Sequence, residues 1–222
     1  MGSVIGGILP LAVGIAISPI PIIAVILMLL SPRAKVTSVG FLIGWLLGII
    51  VGIVVFTLLS SVIPQRSDGG SIAAGVIKII LGVLLLILAL RQWRARPTEG
   101  EQPSLPKWIS AIDSMTAGRA LALAFLLAAG NPKNLLLAAS AGLIIGGAGL
   151  ALGSTAIVII IFVVVAACTV IVPVIGYLIV AARLAEPLDK LRGWLVENNA
   201  TIMSVLLLII GVAVIGKGLA HF

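Results

Sequence analysis

Six long apolar runs, nearly free of charge, constrain this chain more than any other feature. They cover approximately residues 4–30, 40–63, 72–90, 120–148, 155–182 and 200–220. A hydrocarbon core roughly 30 Å thick takes about 20 helical residues to cross, and each run is long enough. None alternates with a period of two, which excludes barrel strands. The helix is then the element that satisfies every backbone N–H and C=O inside lipid. Composition agrees, with 61% hydrophobic and 9% charged residues, where soluble domains carry about 25% charged. The predicted fold is an all-α integral membrane protein of six transmembrane helices, with no room for a separate soluble domain. The first run is expected to be a span and not a cleaved leader. It lacks a positive n-region and carries Pro19 and Pro21 in its interior.

Orientation follows from the basic residues. Arg33 and Lys35 follow the first run, and Arg91, Arg94, Arg96, Lys107 and Arg119 lie between the third and fourth. Arg183, Lys190 and Arg192 lie between the fifth and sixth, whereas the opposite side has only Arg66 and Lys217. Ten against two makes the first side cytoplasmic, which places both termini outside a bacterial cytoplasmic (inner) membrane. Trp93, Trp108 and Trp194 flank cytoplasmic ends, and Trp45 sits near the cytoplasmic start of the second span. The net charge of +7 then faces anionic lipid headgroups and excludes nucleic acid as a partner.

The polar stretch at residues 91–118 holds Pro97, Pro103 and Pro106. It divides the chain into a first three-helix half (1–92), a cytoplasmic linker (93–117) and a second half (118–222). Within the second half, Leu184, Leu188, Leu191 and Leu195 recur at helical spacing. They predict an interfacial amphipathic helix at about 184–198 that connects the fifth and sixth spans. The halves share their punctuation. Span one is interrupted at Ser18-Pro19-Ile20-Pro21 and span four at Asn131-Pro132-Lys133-Asn134. Aligning Pro19 with Pro132 also places Gly40 on Gly153, and three helices per half makes the repeat inverted. Paired interruptions in inverted halves point to a binding site near the bilayer midplane.

A proline inside a span removes a donor and frees a carbonyl, so such a break must be buried in protein or line a wet cavity. Ser18, Pro19, Pro21, Asn131, Pro132, Lys133 and Asn134 are the candidate substrate-binding residues, because amides and an ammonium exceed what a kink requires. The structural alternative is that Asn131 and Asn134 satisfy carbonyls freed by Pro19 and Pro21. Lys78, about seven residues inside the third span, is a further candidate, or it snorkels to the surface. Gly40, Gly44, Gly48 and Gly52 form a four-step row that admits close approach of another helix, either within the chain or from a second copy in a homodimer. No carboxylate falls inside a run, so both embedded charges are positive and the implied substrate group is anionic. The lone His221 and lone Cys168 leave no catalytic pair, metal cluster, cofactor motif or disulfide to assemble. The chain is expected not to be an enzyme, and Cys168 to be a packing residue.

Several of these strings together resemble the GAP family of actinobacterial membrane proteins, within the LysE superfamily of exporters. They are Ser18-Pro19-Ile20-Pro21-Ile22-Ile23, Gly44-Trp45, Arg91-Gln92-Trp93-Arg94, Trp108 with Asp113, and Gly130-Asn131-Pro132-Lys133-Asn134-Leu135. Nearly the whole chain is covered, and the Asn-Pro-Lys-Asn segment is the most specific part. The resemblance implies a six-helix, LysE-like membrane protein of the glycopeptidolipid- and sulfolipid-addressing group, moving lipids or small solutes outward. The expectation is a flippase-like exporter of an anionic, amphiphilic envelope lipid or glycolipid, with membrane lipids as its surroundings. One alternative is an exporter of a small solute such as an amino acid or ion. Another is a non-transporting assembly partner of an envelope-lipid export machine.

Overall fold

The computed structural model describes residues 1–61, 72–96, 112 and 115–220, with the side chains of 61 and 180–185 set aside. Seven helices account for nearly all of them: α1 (Gly2–Ala16), α2 (Pro19–Leu30), α3 (Ala34–Ser61), α4 (Ile72–Arg94), α5 (Ala117–Ala129), α6 (Pro132–Gly146) and α7 (Leu152–Leu219). No strand occurs among the described residues. Among the described residues four helical stretches are long and apolar enough to cross a membrane: Ala34–Ser60, Ile72–Arg94, Leu152–Ile179 and Glu186–Leu219. Two bent pairs raise the total to six if each is one span, α1 with α2 at 53° and α5 with α6 at 60°. The chain is a multi-pass helical membrane protein. Most of the 93–117 linker lies outside the described residues.

Both bends sit at the predicted breaks, and proline sets them. Pro19 and Pro132 each occupy the first turn of the following helix, where a missing N–H leaves no hole in the ladder. The residues before them, Ser18 and Asn131, are extended at ψ 110° and ψ 120°, as a following proline demands.

The glycine row is used inside the chain. A Cβ placed at Gly40 would lie 2.5 Å from the Ala117 carbonyl oxygen, and one at Gly44 would strike the Leu121 carbonyl. At Gly48 it would lie 2.5 Å from the Ala128 Cβ. Positions 40, 44 and 48 thus pair in rising order with 117, 121 and 128, so α3 and α5 run parallel. The contact continues onto α6, where Gly142 and Gly146 press on Phe56, Thr57 and Ser60 and the Ser60 hydroxyl donates to the Gly142 carbonyl at 2.9 Å. Gly52 is looser, with Ala138 Cβ 3.7 Å from its would-be Cβ.

Two expectations need correction. Trp45 does not face headgroups; it is buried, stacked on Phe41 with ring centroids 6.4 Å apart, because the α3 face carrying Phe41, Trp45, Ile49 and Ile53 turns into the core. The fifth span, connecting helix and sixth span also form one helical run, Leu152–Leu219, with Pro173 and Pro187 inside it. That run is not a straight rod. The Thr169 hydroxyl donates to the Ala16 carbonyl, while Ile210 packs on Gly14, two residues away on α1. Forty-one residues of straight helix would hold these points about 60 Å apart. The run therefore doubles back between them, through the polar stretch where Glu186–Lys190 and Asp189–Arg192 form exposed ion pairs. There Leu188 and Leu195 are buried, while Leu191 and Trp194 face outward.

Candidate functional site

The two breaks meet. Together they line a cavity of about 250 Å³, Ser18 to Pro21 on one side and Asn131 to Lys133 on the other. Leu88 and Gln92 of α4, with Asn199, Met203 and Leu207 of α7, complete its wall. All of the candidate residues except Asn134 and Lys78 line it.

The freed carbonyls of α1 can be followed one by one. Val13 accepts from the Ile17 amide at 2.9 Å, and Ile15 from the Ser18 amide at 3.2 Å. Gly14 accepts from Lys133 Nζ at 2.8 Å, and Ala16 from the Thr169 hydroxyl at 2.6 Å. Lys133 Nζ also donates to the Ser18 hydroxyl oxygen. Its ammonium therefore spans the two breaks, from the first turn of α6 to the last turn of α1, where a helix C-terminus favours a cation. Thr169 was not singled out from the sequence. Nothing distinguishes one mid-span threonine there from the many that bond back to their own helix.

The asparagines serve their own break. Asn131 caps α6, its Oδ1 accepting from the Lys133 amide at 3.0 Å. Asn134 Nδ2 donates to the carbonyls of Leu127 and Ala128 at 3.2 and 3.3 Å. The second of these is the acceptor that Pro132, lacking an N–H, leaves open. They satisfy the Pro132 break, whereas the sequence suggested Pro19 and Pro21. Asn134 is buried and does not line the cavity.

The negative helix ends are thus covered by side chains, while the positive ends face the cavity. Pro19, Ile20 and Pro21 begin α2 and line it, as do Pro132 and Lys133 at the start of α6. The Ile20 amide has no acceptor among the described residues. One of the three ammonium donors of Lys133 is uncommitted, and the Ser18 hydroxyl, accepting from Lys133, keeps its own proton to give. Asn199 contributes an amide whose Oδ1 is buried without a partner. Among the described residues no carboxylate lines the cavity. An anion placed here would meet two helix N-termini and an ammonium at once.

Lys78 is elsewhere. It lines a second cavity of about 220 Å³ with Lys217, Gly7 and Ser140. A third space, an apolar groove of about 270 Å³ lined by Leu86, Leu90, Trp93, Val205 and Leu208, lies on the α4–α7 pair. Its residues occupy the helix faces turned away from Leu88, Gln92, Met203 and Leu207, so groove and first cavity share the α4–α7 seam as a common wall. Among the described residues no group of three His, Cys, Asp or Glu could hold a metal ion.

Among known proteins, the family described as Sap, sulfolipid-1-addressing protein (SfLAP), has a model that matches residues 8–220 of the chain. No curated protein and no solved structure matches.

Proposed function

Because the chain belongs to the sulfolipid-1-addressing protein family, we propose that it carries an anionic, amphiphilic envelope lipid or glycolipid outward across the membrane. The headgroup passes through the cavity at the helix breaks. One observation carries this proposal: two helix N-termini and the Lys133 ammonium converge on a cavity that, among the described residues, no carboxylate lines. Each helix N-terminus acts as roughly half a positive charge, and discontinuous helices in transporters hold anionic substrate groups in this manner. A sulfate or phosphate headgroup matches the donors of Lys133, Ser18 and Ile20. The apolar groove across the α4–α7 seam favours an amphiphile over a small solute, since it offers acyl chains a place beside the headgroup without leaving the lipid.

The architecture proposed with this function is an inverted repeat. α1 to α4 form one three-span half and α5 to α7 the other, related about an axis passing between Pro19 and Pro132. Both termini are extracytoplasmic in a bacterial inner membrane. The antiparallel meeting of α1 and α6, with Gly7 on Ile144 and Gly14 on Leu137, is consistent with it. So is the parallel course of α3 and α5.

The test is reconstitution of purified protein into liposomes holding a fluorescent sulfated glycolipid, with a zwitterionic phospholipid bearing the same fluorophore as control. Leaflet exchange is read by chemical quenching from outside. Protein should accelerate exchange of the sulfated lipid well beyond that of the control. Exchange of neither lipid, in vesicles that release a small anionic solute, would make it a solute exporter. No movement of any of the three would make it an assembly partner.

A further inference from the structure

The seam between α4 and α7 changes character along its length. In one part the helices meet backbone to backbone. A Cβ at Gly82 would lie 2.8 Å from the Gly211 carbonyl oxygen, and one at Gly211 would lie 3.1 Å from the Gly82 carbonyl oxygen. A Cβ at Gly218 would lie 2.9 Å from the Gly75 carbonyl oxygen. The partners run in opposite order, so this stretch of the seam is antiparallel, and its two glycine pairs stand two helical turns apart. Ile79 and Ile215 fill the interval, Ile79 against Gly218 and Ile215 against Gly82. Two turns farther along the seam, the same faces present Ala89 and Ser204. Both line the apolar groove of about 270 Å³, and on the other side of the seam Leu88, Gln92, Asn199, Met203 and Leu207 line the Lys133 cavity. Ser204 turns its hydroxyl back on its own helix, donating to the Thr201 carbonyl at 2.9 Å.

Lipid tails are as apolar as leucine, so parting two apolar helix faces inside a membrane sacrifices packing without exposing them to water. The sacrifice is largest where glycines bring backbones together, because the close carbonyl contacts of both helices go at once. It is smaller between Leu88, Met203 and Leu207, whose side chains can re-pack against an entering chain. We propose that the α4–α7 seam around Ala89 and Ser204 is a lateral gate for a lipid with an anionic headgroup, and that the Gly75–Gly218 and Gly82–Gly211 contacts are its hinge. The headgroup passes between the helices into the Lys133 cavity while the acyl chains stay in the groove. The inference deepens the proposed transport function and rests on it for the cargo. A headgroup cannot cross hydrocarbon bare of partners without a large cost. On the cavity side of the seam Gln92 and Asn199 offer it amides, and on the groove side Leu86, Leu90, Val205 and Leu208 keep the chains in apolar surroundings. A water-soluble anion has no need of such an opening.

Locking the seam at two levels tests this. In a Cys168→Ser background, Ala89→Cys/Ser204→Cys places a thiol pair at the gate and Ile79→Cys/Ile215→Cys a pair at the hinge. Each pair is bridged by a short bifunctional methanethiosulfonate, with bridging verified by intact mass, and the protein is reconstituted into liposomes holding a fluorescent sulfated glycolipid. Leaflet exchange is then read before and after the bridge is cleaved with a reducing agent. Bridging at the gate should lower exchange to the rate of empty vesicles, and cleavage should restore it, which separates a closed gate from a misfolded protein. Bridging at the hinge should leave exchange as it is in the reduced form of the same protein. Loss of exchange on bridging at either level alike would overturn the gate and hinge, since the helices would then only need to move as a whole. A gate pair that no short reagent bridges would refute the register of the seam. If the bridged gate exchanges lipid as fast as its reduced form while Lys133→Ala exchanges none, the gate is wrong and the transport function stands. If wild-type protein itself exchanges no sulfated lipid, the transport function fails and the gate falls with it.

Discussion

A single methyl group at Gly44 measures how much the fold depends on the α3–α5 contact. The added Cβ would strike the Leu121 carbonyl oxygen and would lie 2.8 Å from its carbon and 2.9 Å from its Cα. All three are backbone atoms and cannot rotate away, so α3 and α5 must separate. Separation also loosens the contacts at Gly40 and Gly48, which lie one turn to either side on the same face. Overpacking of this kind costs about 1–3 kcal/mol, partly offset by the helix preference for Ala over Gly, up to about 1 kcal/mol. Gly44→Ala should therefore destabilise by about 1–2 kcal/mol, and Gly44→Leu by more. Gly52→Ala is the internal control. Its Cβ would meet only Ala138 Cβ, at an ordinary 3.7 Å, so the helix preference survives and the variant should be neutral or slightly stabilised. For a chain of this length each kcal/mol moves the melting temperature by about 2–4 °C. Thermal melting of purified protein in detergent should put Gly44→Ala roughly 2–8 °C below wild type and Gly52→Ala at or above it. A Gly44→Ala protein that melts with wild type would refute the close backbone contact, and so would a reversed order of the two variants.

Thr169→Val should remove the donor to the Ala16 carbonyl and leave that acceptor buried. The cost is about 1–3 kcal/mol in a melting experiment, and Thr169→Ser should restore most of it. Asn134→Ala should lower the melting temperature by stripping the Leu127 and Ala128 carbonyls of their donor. Lipid exchange per folded molecule should be spared, because Asn134 does not line the cavity; loss of exchange with normal melting would contradict that placement. For topology, Ser3→Cys should be labelled by an impermeant reagent from outside intact cells and Ser104→Cys only after the membrane is opened. External labelling of Ser104→Cys would reverse the orientation.

The spans were legible because lipid leaves the backbone few choices, and run length with Pro19 and Pro132 sufficed to place both breaks. The burial of Lys133 also follows from its place near the middle of its run. Partners across the fold were not. A sequence shows that Pro132 must orphan a carbonyl but not that Asn134, six residues downstream of Ala128, will reach back to it. Nor does it show that Thr169 and Lys133, distant in the chain, will share the carbonyls of one helix end. Lys78 illustrates the same limit. Residue type and depth marked it out, yet only the fold separates it from Lys133 and sets it beside Lys217, which the sequence presented as an ordinary terminal cation. Trp45 misled for the opposite reason, because its position along the span suits a headgroup belt while its helix face turns inward.

If the charge of Lys133 carries the headgroup, lipid exchange must depend on that charge, and Lys133 variants test this most directly. The ammonium also holds the Gly14 carbonyl and Ser18, so Lys133→Ala alone could reflect a loosened α1. Lys133→Gln, which keeps donors without charge, and Lys133→Arg, which keeps both, separate the two roles. All four proteins are reconstituted at equal folded density, and exchange of a fluorescent sulfated glycolipid is followed. The prediction is that Lys133→Ala and Lys133→Gln exchange no faster than empty vesicles although Lys133→Gln melts near wild type, and that Lys133→Arg retains part of the rate. Wild-type exchange by Lys133→Ala or Lys133→Gln would contradict the account.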